Sequence, residues 1–421
     1  MSIRKVFSLA ALMLVGELIF LLPFVVARIF RPTFLNAFQI TNLELGSAFS
    51  LYGVIAVGAY FAGGPIADRF SPKRLLPISI LATALGGVIM SRIPSLATLT
   101  LLYGFWGVTT ILLFWAAYVK AQSELGGTTA QGRSFGLIDA GRGFVAAALA
   151  SSSVFLLQLF LPLEADLATE ADLTAALSQI ILLFSGLTAF GALIIWWFLP
   201  DEMADKKTTT SGISLLGVKE AMKRRTIWLQ ALILLCSYVG YKCTDDFSLY
   251  ASDAFGYNDV DAAHIATISF WVRPVAAIAA GLLGDRFLHS KMVIGCFIIM
   301  MLGSLVVATG VLQANMWMMI ILTLSTTSVG VYGLRGLYYA LFQQARVPLA
   351  ITGSAAGLVS VIGYTPDIFM GPLMGIILDS SPGEPGHQHL FLVLAAFSLC
   401  GAITAYMFGK ATNNSSTSLN L

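Results

Sequence analysis

The chain of 421 residues is 57% hydrophobic and only 11% charged, where an ordinary soluble domain carries about a quarter charged residues, so a water-soluble globular enzyme is excluded. Lys and Arg number 24 against 22 Asp and Glu, a net charge of +2, which gives no basis for a nucleic-acid partner. A bilayer core about 30 Å thick takes roughly 20 apolar residues per helix, so the partner this composition calls for is the lipid bilayer.

In chain order, Arg4 and Lys5 precede an apolar stretch that runs past Glu17 to Val26 without a small-residue cleavage pattern. It reads as a retained first transmembrane helix rather than a secretory signal. Apolar runs separated by charged or Gly/Pro punctuation predict twelve helices, centred near residues 18, 56, 83, 108, 146, 186, 238, 272, 301, 328, 364 and 398. The long connection 201–225, rich in Lys and Arg, divides them six and six. Residues 1–200 are thus expected to form an N-terminal bundle, 201–225 a cytoplasmic linker, 226–410 a C-terminal bundle and 411–421 a disordered polar tail. Cys236, Cys243, Cys296 and Cys400 lie in mainly apolar segments without CxxC or CxxH spacing, so packed or lipid-facing thiols are expected.

Of the 24 Lys and Arg residues, 17 fall on the side of the N-terminus and three on the other side, Arg92 with Arg28 and Arg31 at the end of helix 1. The positive-inside rule then puts both termini in the cytoplasm. The predicted outer loops 159–173, 252–263 and 380–389 hold acids but no Lys or Arg.

The halves repeat. Gly64-Pro-Ile-Ala-Asp68-Arg69-Phe70 after helix 2 matches Gly281-Leu-Leu-Gly-Asp285-Arg286-Phe287 after helix 8 at an offset of 217, and Gly136 of helix 5 falls on Gly353 of helix 11 at the same offset. On these motifs the chain resembles the major facilitator superfamily over its whole length. The loop Asp68-Arg69-Phe-Ser-Pro72-Lys73-Arg74-Leu-Leu-Pro77 and the run Gly353-Ser-Ala-Ala-Gly357 with Gly363-Tyr364 are similar to the organophosphate:phosphate antiporter branch. The resemblance implies an all-α polytopic membrane protein of two pseudo-symmetric six-helix bundles, a substrate site between them near the midplane, and transport by rocking of the halves. It also implies that Asp68, Arg69, Asp285 and Arg286 gate the cytoplasmic side; without it, these are solvated loop charges that set topology.

A charged side chain at mid-membrane costs about 2.5 to 3.5 kcal/mol on insertion scales and so must be paired, hydrated or lining a cavity. In helix 7, Lys242 stands i,i+3 to Asp245 and i,i+4 to Asp246, within reach of either on one helix face. The cluster is either a self-neutralised pair that lets the helix insert or a proton-binding, substrate-competed site. Subtracting 217 from 245 sets Arg28 opposite this cluster, and the antiporter branch, with one basic residue in each of helices 1 and 7, implies that Arg28 and Lys242 grip an anion. Lys242 replaces the branch's arginine and loses bidentate recognition. Arg28 as a snorkelling interfacial residue is the alternative. Arg335, among Tyr332, Tyr338 and Tyr339, is expected either to clasp an anion together with Tyr338 or to pair with Asp367. Arg273 is expected to answer Asp245 or Asp367. Asp139 and Arg142 are i,i+3 and expected to pair, Arg142 also being a candidate for the cavity. Glu17, alone in helix 1, is a candidate proton site, or is satisfied by a neighbouring helix. His387 and His389 form a lone HxH in an outer loop, and no metal site or cofactor is expected.

The leading expectation is a secondary active transporter of a small organic anion, a phosphorylated or carboxylated metabolite, bound by Arg28, Lys242, Arg335, Arg142 and Tyr338. It would work by antiport or by proton coupling through Glu17, Asp139, Asp245 and Asp246. A proton-coupled carrier of a cationic or neutral solute is the runner-up, because five membrane acids face five membrane cations. A polytopic enzyme has no support, since no Walker loop, HExxH or GxSxG occurs. A monomer in the plasma (inner) membrane is expected.

Overall fold

The computed structural model describes residues 3–126, 131–162, 168–200, 215–338 and 340–417. Among the described residues, twelve helices are long and apolar enough to cross a membrane: α1 (Arg4–Ile29), α2 (Asn42–Arg69), α3 (Pro72–Met90), α4 (Leu96–Leu125), α5 (Ile138–Phe160), α6 (Glu170–Phe198), α7 (Arg225–Phe255), α8 (Asp259–Gly284), α9 (His289–Ala308), α10 (Trp317–Leu337), α11 (Ile351–Ser380) and α12 (Glu384–Thr412). Among the described residues there is no strand. An even number of crossings puts the start of α1, the end of α6, the start of α7 and the end of α12 on one face, the terminal face. Leu101, Val275, Leu282 and Trp197 are among many large apolar side chains more than 60% exposed on the outer wall, a surface that water would not tolerate and lipid tails match.

Two expected boundaries change. The last helix continues to Thr417 where a disordered tail from 411 was expected, residues 418–421 lying outside the described residues. Within the 201–225 connection, Leu215–Met222 is helical. Residues 201–214 lie outside the described residues.

The repeat extends well beyond its loop motif. The helix Asn42–Arg69 and the helix Asp259–Arg286 are both 28 residues long, and the N-caps Thr41 and Asn258 precede them in the same register. Each cap side chain accepts a backbone N–H three residues on, Glu44 and Asp261 respectively, satisfying a donor that the first helical turn leaves orphaned. Each helix ends on the arginine of its DR pair.

Four spans depart from regular helix. In α1 the segment Leu21–Val25 around Pro23 is π-helical, because proline removes one ladder donor and crowds the preceding turn. In α4 Val108–Trp115 is π-helical. A 3-10 turn, Thr244–Asp246, interrupts α7, and α11 breaks between Gly363 and Pro366.

The halves meet chiefly in the half of the membrane away from the terminal face. There α2 crosses α11 at Gly46 and Gly371, so closely that a Cβ on Gly46 would collide with the Gly371 carbonyl oxygen. Likewise α5 meets α8 through Phe144 against Trp271 and through Trp271 Nε1 donating to Ser151 Oγ at 2.9 Å. Polar bonds seal the rim. Asp379 of α11 accepts from the Asn42 and Leu43 backbone N–H groups at the start of α2, at 3.2 and 2.8 Å. Arg31, at the end of helix 1, is buried and donates Nη2 to Asn42 Oδ1 at 2.9 Å.

Candidate functional site

Between the halves lies a cavity of about 830 Å³, counting the part open to solvent, lined by α1, α2, α4, α5, α7, α8, α10 and α11. It runs from Arg28, near the sealed end, to Arg142 and Arg335, near the terminal-face ends of α5 and α10. The irregular helices supply much of the wall. Phe24 comes from the π segment of α1, Trp115 from that of α4, Lys242 from just before the turn in α7, and Tyr364 and Asp367 from the break in α11. Helix interruptions at membrane depth persist where the freed backbone lines a cavity.

Five cations line this space, Arg28, Arg142, Lys242, Arg273 and Arg335, with two acids, Glu17 and Asp367. Arg28 Nε binds Asp245 Oδ1 across the interface between the halves, a bond between residues 217 apart. The repeat offset and the contact coincide. Asp245 Oδ2 also lies 3.3 Å from Lys242 Nζ, which is 3.6 Å from Asp367 Oδ1. Tyr238 donates its hydroxyl to Asp367 at 3.1 Å. Glu17 Oε1 accepts from Arg273 Nη2 at 2.7 Å, and Arg142 Nε stands 3.1 Å from the same oxygen, off hydrogen-bond alignment. Arg142 Nη1 is also 3.8 Å from Asp139 Oδ1.

Aromatic rings complete the wall. The Tyr241 ring has the Arg28 guanidinium 4.5 Å and the Arg335 guanidinium 4.4 Å from its centroid. Lys242 Nζ lies 5.0 Å from the Phe24 centroid. Each is a cation–π contact.

Several expectations are corrected. Glu17 is not isolated, since it is bracketed by two arginines. Arg273 answers Glu17 rather than Asp245 or Asp367. Arg335 stacks on Tyr241, and Asp367 instead engages Lys242 and Tyr238. Asp246 does not share the Lys242 face. The 3-10 turn sends it to His387 of α12, 2.7 Å away, and it does not line the cavity. Nor do Asp245, Asp139 or Tyr338 line it: Asp245 backs Arg28 and Lys242, Asp139 flanks Arg142, and the Tyr338 hydroxyl reaches Tyr364 at 3.5 Å. His387 lies not in a loop but in the first turn of α12. Asp68, Arg69 and Arg286 are exposed at helix ends, and the Asp285 side chain lies outside the described residues, as does Tyr339.

Sequence reasoning missed Phe24, Tyr52, Tyr60, Trp115, Tyr238 and Tyr241 as lining residues. The repeat held part of the signal, because the partners Phe24 with Tyr241 and Val25 with Lys242 all line the cavity.

The major facilitator superfamily model matches residues 8–366, and the chain belongs to that superfamily of transporters. It is 25% identical to the inner membrane protein YqcE of Escherichia coli (strain K12) over 423 aligned positions, 97% of this chain and 96% of that one. Among solved structures it is similar to the nucleoside transporter NupG, with 15% identity, a TM-score of 0.67 and coverage of 96% of this chain and 98% of that one. It is also similar to a bacterial homologue of the human lysosomal transporter Spinster, in an inward-facing and unoccupied conformation. There the identity is 15%, the TM-score 0.68 and the coverage 98% of both chains.

Proposed function

We propose that this secondary transporter moves a small organic anion, a phosphorylated or carboxylated metabolite, by alternating access of the central cavity. The observation that carries the reading is the charge balance at the cavity. Adding Asp139 and Asp245 to the two lining acids still leaves the five cations with one positive charge in excess. Arg335 is faced by the ring of Tyr241, and the Arg28 Nη2 atom is buried without a hydrogen-bond partner. A phosphate or carboxylate bound beside the Tyr241 ring, in reach of either guanidinium, answers this excess, and because Arg28 and Arg335 belong to different halves, an anion that reaches both draws the halves together. Lys242 and Arg142 contribute field, and Glu17 and Asp139 are the carboxylates available to protons.

By the positive-inside rule the termini are cytoplasmic, and the relative named an inner membrane protein supports the same membrane for this chain. The sealed face is then external and the conformation open to the cytoplasm. In the outward-open state the loop pairs Asp68–Arg69 and Asp285–Arg286 latch the cytoplasmic ends, and the protein works as a monomer.

A second reading has its own support. Tyr52, Tyr60, Trp115, Tyr238, Tyr241 and Tyr364 line the cavity, a cage that suits an uncharged ring solute, and one similar structure is of a nucleoside transporter. The test is thermal melting of detergent-purified protein with organic phosphates, carboxylates, nucleosides, sugars and amines. A solute at a hundred times its dissociation constant adds about 2.7 kcal/mol to the folded state. Phosphates or carboxylates are expected to raise the melting temperature of the wild type and to fail with Arg335→Gln. Stabilisation only by nucleosides or sugars overturns the anion reading in favour of the neutral one.

A further inference from the structure

Outside the cavity, the completely buried His387 stands between two acids of α7. Its Nδ1 lies 2.7 Å from Asp246 Oδ2 and its Nε2 3.2 Å from Asp253 Oδ2. An ionised carboxylate only accepts hydrogen bonds, and a neutral imidazole has one N–H. Two carboxylate contacts on the two ring nitrogens therefore require one proton more than a neutral histidine and two carboxylates possess. We propose that His387, Asp246 and Asp253 form a proton-binding site in the C-terminal half, loaded from the face opposite the termini and coupled to the cavity through the turn Thr244–Asp246.

Exposure gives the direction of loading. The Asp253 side chain is 36% exposed, whereas those of His387 and Asp246 are fully buried. Asp253 lies near the end of α7 on the sealed face. A proton enters at Asp253 and passes to Nε2, so that the loaded ring carries hydrogen on both nitrogens, one toward each carboxylate. The other Asp246 oxygen, Oδ1, is buried without a hydrogen-bond partner, so His387 is the group that compensates this carboxylate. Around the imidazole, α7 also presents Tyr250, 5.3 Å away ring to ring, and the buried Cys243 one turn below Asp246. α12 itself carries Glu384, which accepts from Gln388, and His389. In the turn after α9, Gly310 approaches Glu384 and Gln388 without a charge. From α11, Asp379 is engaged by Asn42 and Leu43. Among the described residues no group of three His, Cys, Asp or Glu side chains is placed to hold a metal ion; here the two carboxylates contact different nitrogens of one ring, an arrangement that protonation of the ring satisfies.

Coupling follows from adjacency. Asp246 holds His387 while Asp245, its chain neighbour in the same tight turn, holds Arg28 and Lys242 at the cavity. Release of the proton leaves two carboxylates against a neutral ring, which frees the upper part of α7 from α12 and shifts the Asp245 carboxylate. The use of this movement as transport coupling rests on the transporter reading above; the proton site does not.

The chain has only four histidines, so nitrogen NMR of histidine-labelled full-length protein can resolve each ring. At about pH 7.5, above the ordinary histidine value of about 6.5, both His387 nitrogens are expected to carry hydrogen, with the signal identified by its loss in His387→Gln. Solid-supported-membrane electrophysiology on oriented proteoliposomes, with the proton as the only probe, is expected to record a charge displacement after a pH step on the face opposite the termini. His387→Gln, with its melting temperature checked, is expected to abolish it. If that variant does not fold, Asp253→Asn takes its place and is expected to remove the hydrogen on Nε2. A neutral His387 ring in the wild type, a displacement that survives in the variants, or one evoked only from the terminal face overturns the proposal. Failure of every anion in the melting panel overturns the substrate reading and leaves these outcomes unaffected.

Discussion

Arg28 and Asp245 are each nearly inaccessible and come from opposite halves, so their bond both neutralises the cavity floor and ties the bundles together. Removing one partner of a buried pair leaves an uncompensated charge and costs about 3–5 kcal/mol, whereas removing both costs far less than the sum. In a melting-based double-mutant cycle, Arg28→Gln and Asp245→Asn are expected each to destabilise strongly and to show an interaction energy of roughly 0.5–3 kcal/mol in the double variant. Additive effects would mean that Lys242 and Asp367 compensate independently. At this scale the sequence was informative about which residues line the cavity. Charges are rare in a chain this apolar, so Glu17, Arg28, Arg142, Lys242 and Arg335 stood out, and all line the cavity. Their partners were not legible. Glu17 meets Arg273 across 256 residues, and no local spacing encodes a contact of that range.

At the scale of elements, the four interrupted helices explain how an apolar bundle aims polar groups inward. Pro23 is the clearest case, because the π-helical turn around it adds a residue to the local turn and rotates everything after it, Arg28 included. Replacing Pro23 with alanine restores the missing N–H and permits a regular helix. This change is expected to turn Arg28 by about 100°, one residue of helical rotation, away from Asp245 and Tyr241. The measurable outcome is loss of stabilisation by organic anions with the folded helical content unchanged in circular dichroism. Retained ligand response would show that the π turn is held by packing rather than by the proline. Helix 7 gives the converse lesson. Spacing alone put both Asp245 and Asp246 within reach of Lys242, a rule valid only for an unbroken α-helix, and the 3-10 turn at Thr244–Asp246 separates them.

For the molecule as a whole, the dominant feature is the asymmetry of closure. The crossing of α2 and α11 at Gly46 and Gly371, and the capping of α2 by Asp379 from the other half, seal one face. The cavity reaches toward the other. Asp379 is an exposed residue, so its three bonds to Asn42 and Leu43 contribute modestly to stability, but they join the two halves at the rim. Asp379→Ala is expected to lower stability by about 1 kcal/mol and to shift the population toward opening of this face. Distances between spin labels at the exposed positions Ser47 and Ile376 read this directly. A lengthened distance is expected in the variant, and an unchanged one would assign the seal to glycine packing alone.

The amino-acid sequence by itself determined the twelve crossings, the division into six and six, and the 217-residue repeat. These follow from apolar run length, composition and self-similarity, which are properties of local stretches that the bilayer thickness turns into elements. Only the tertiary structure decided which charges pair, which rings face the cavity, which end is sealed, and that Asp246 answers a histidine rather than a lysine. Those outcomes depend on the rotation of each helix about its axis and on breaks at Pro23, Thr244 and Gly363. Rotation is set by packing between elements far apart in the chain, a quantity that hydropathy along one segment does not contain.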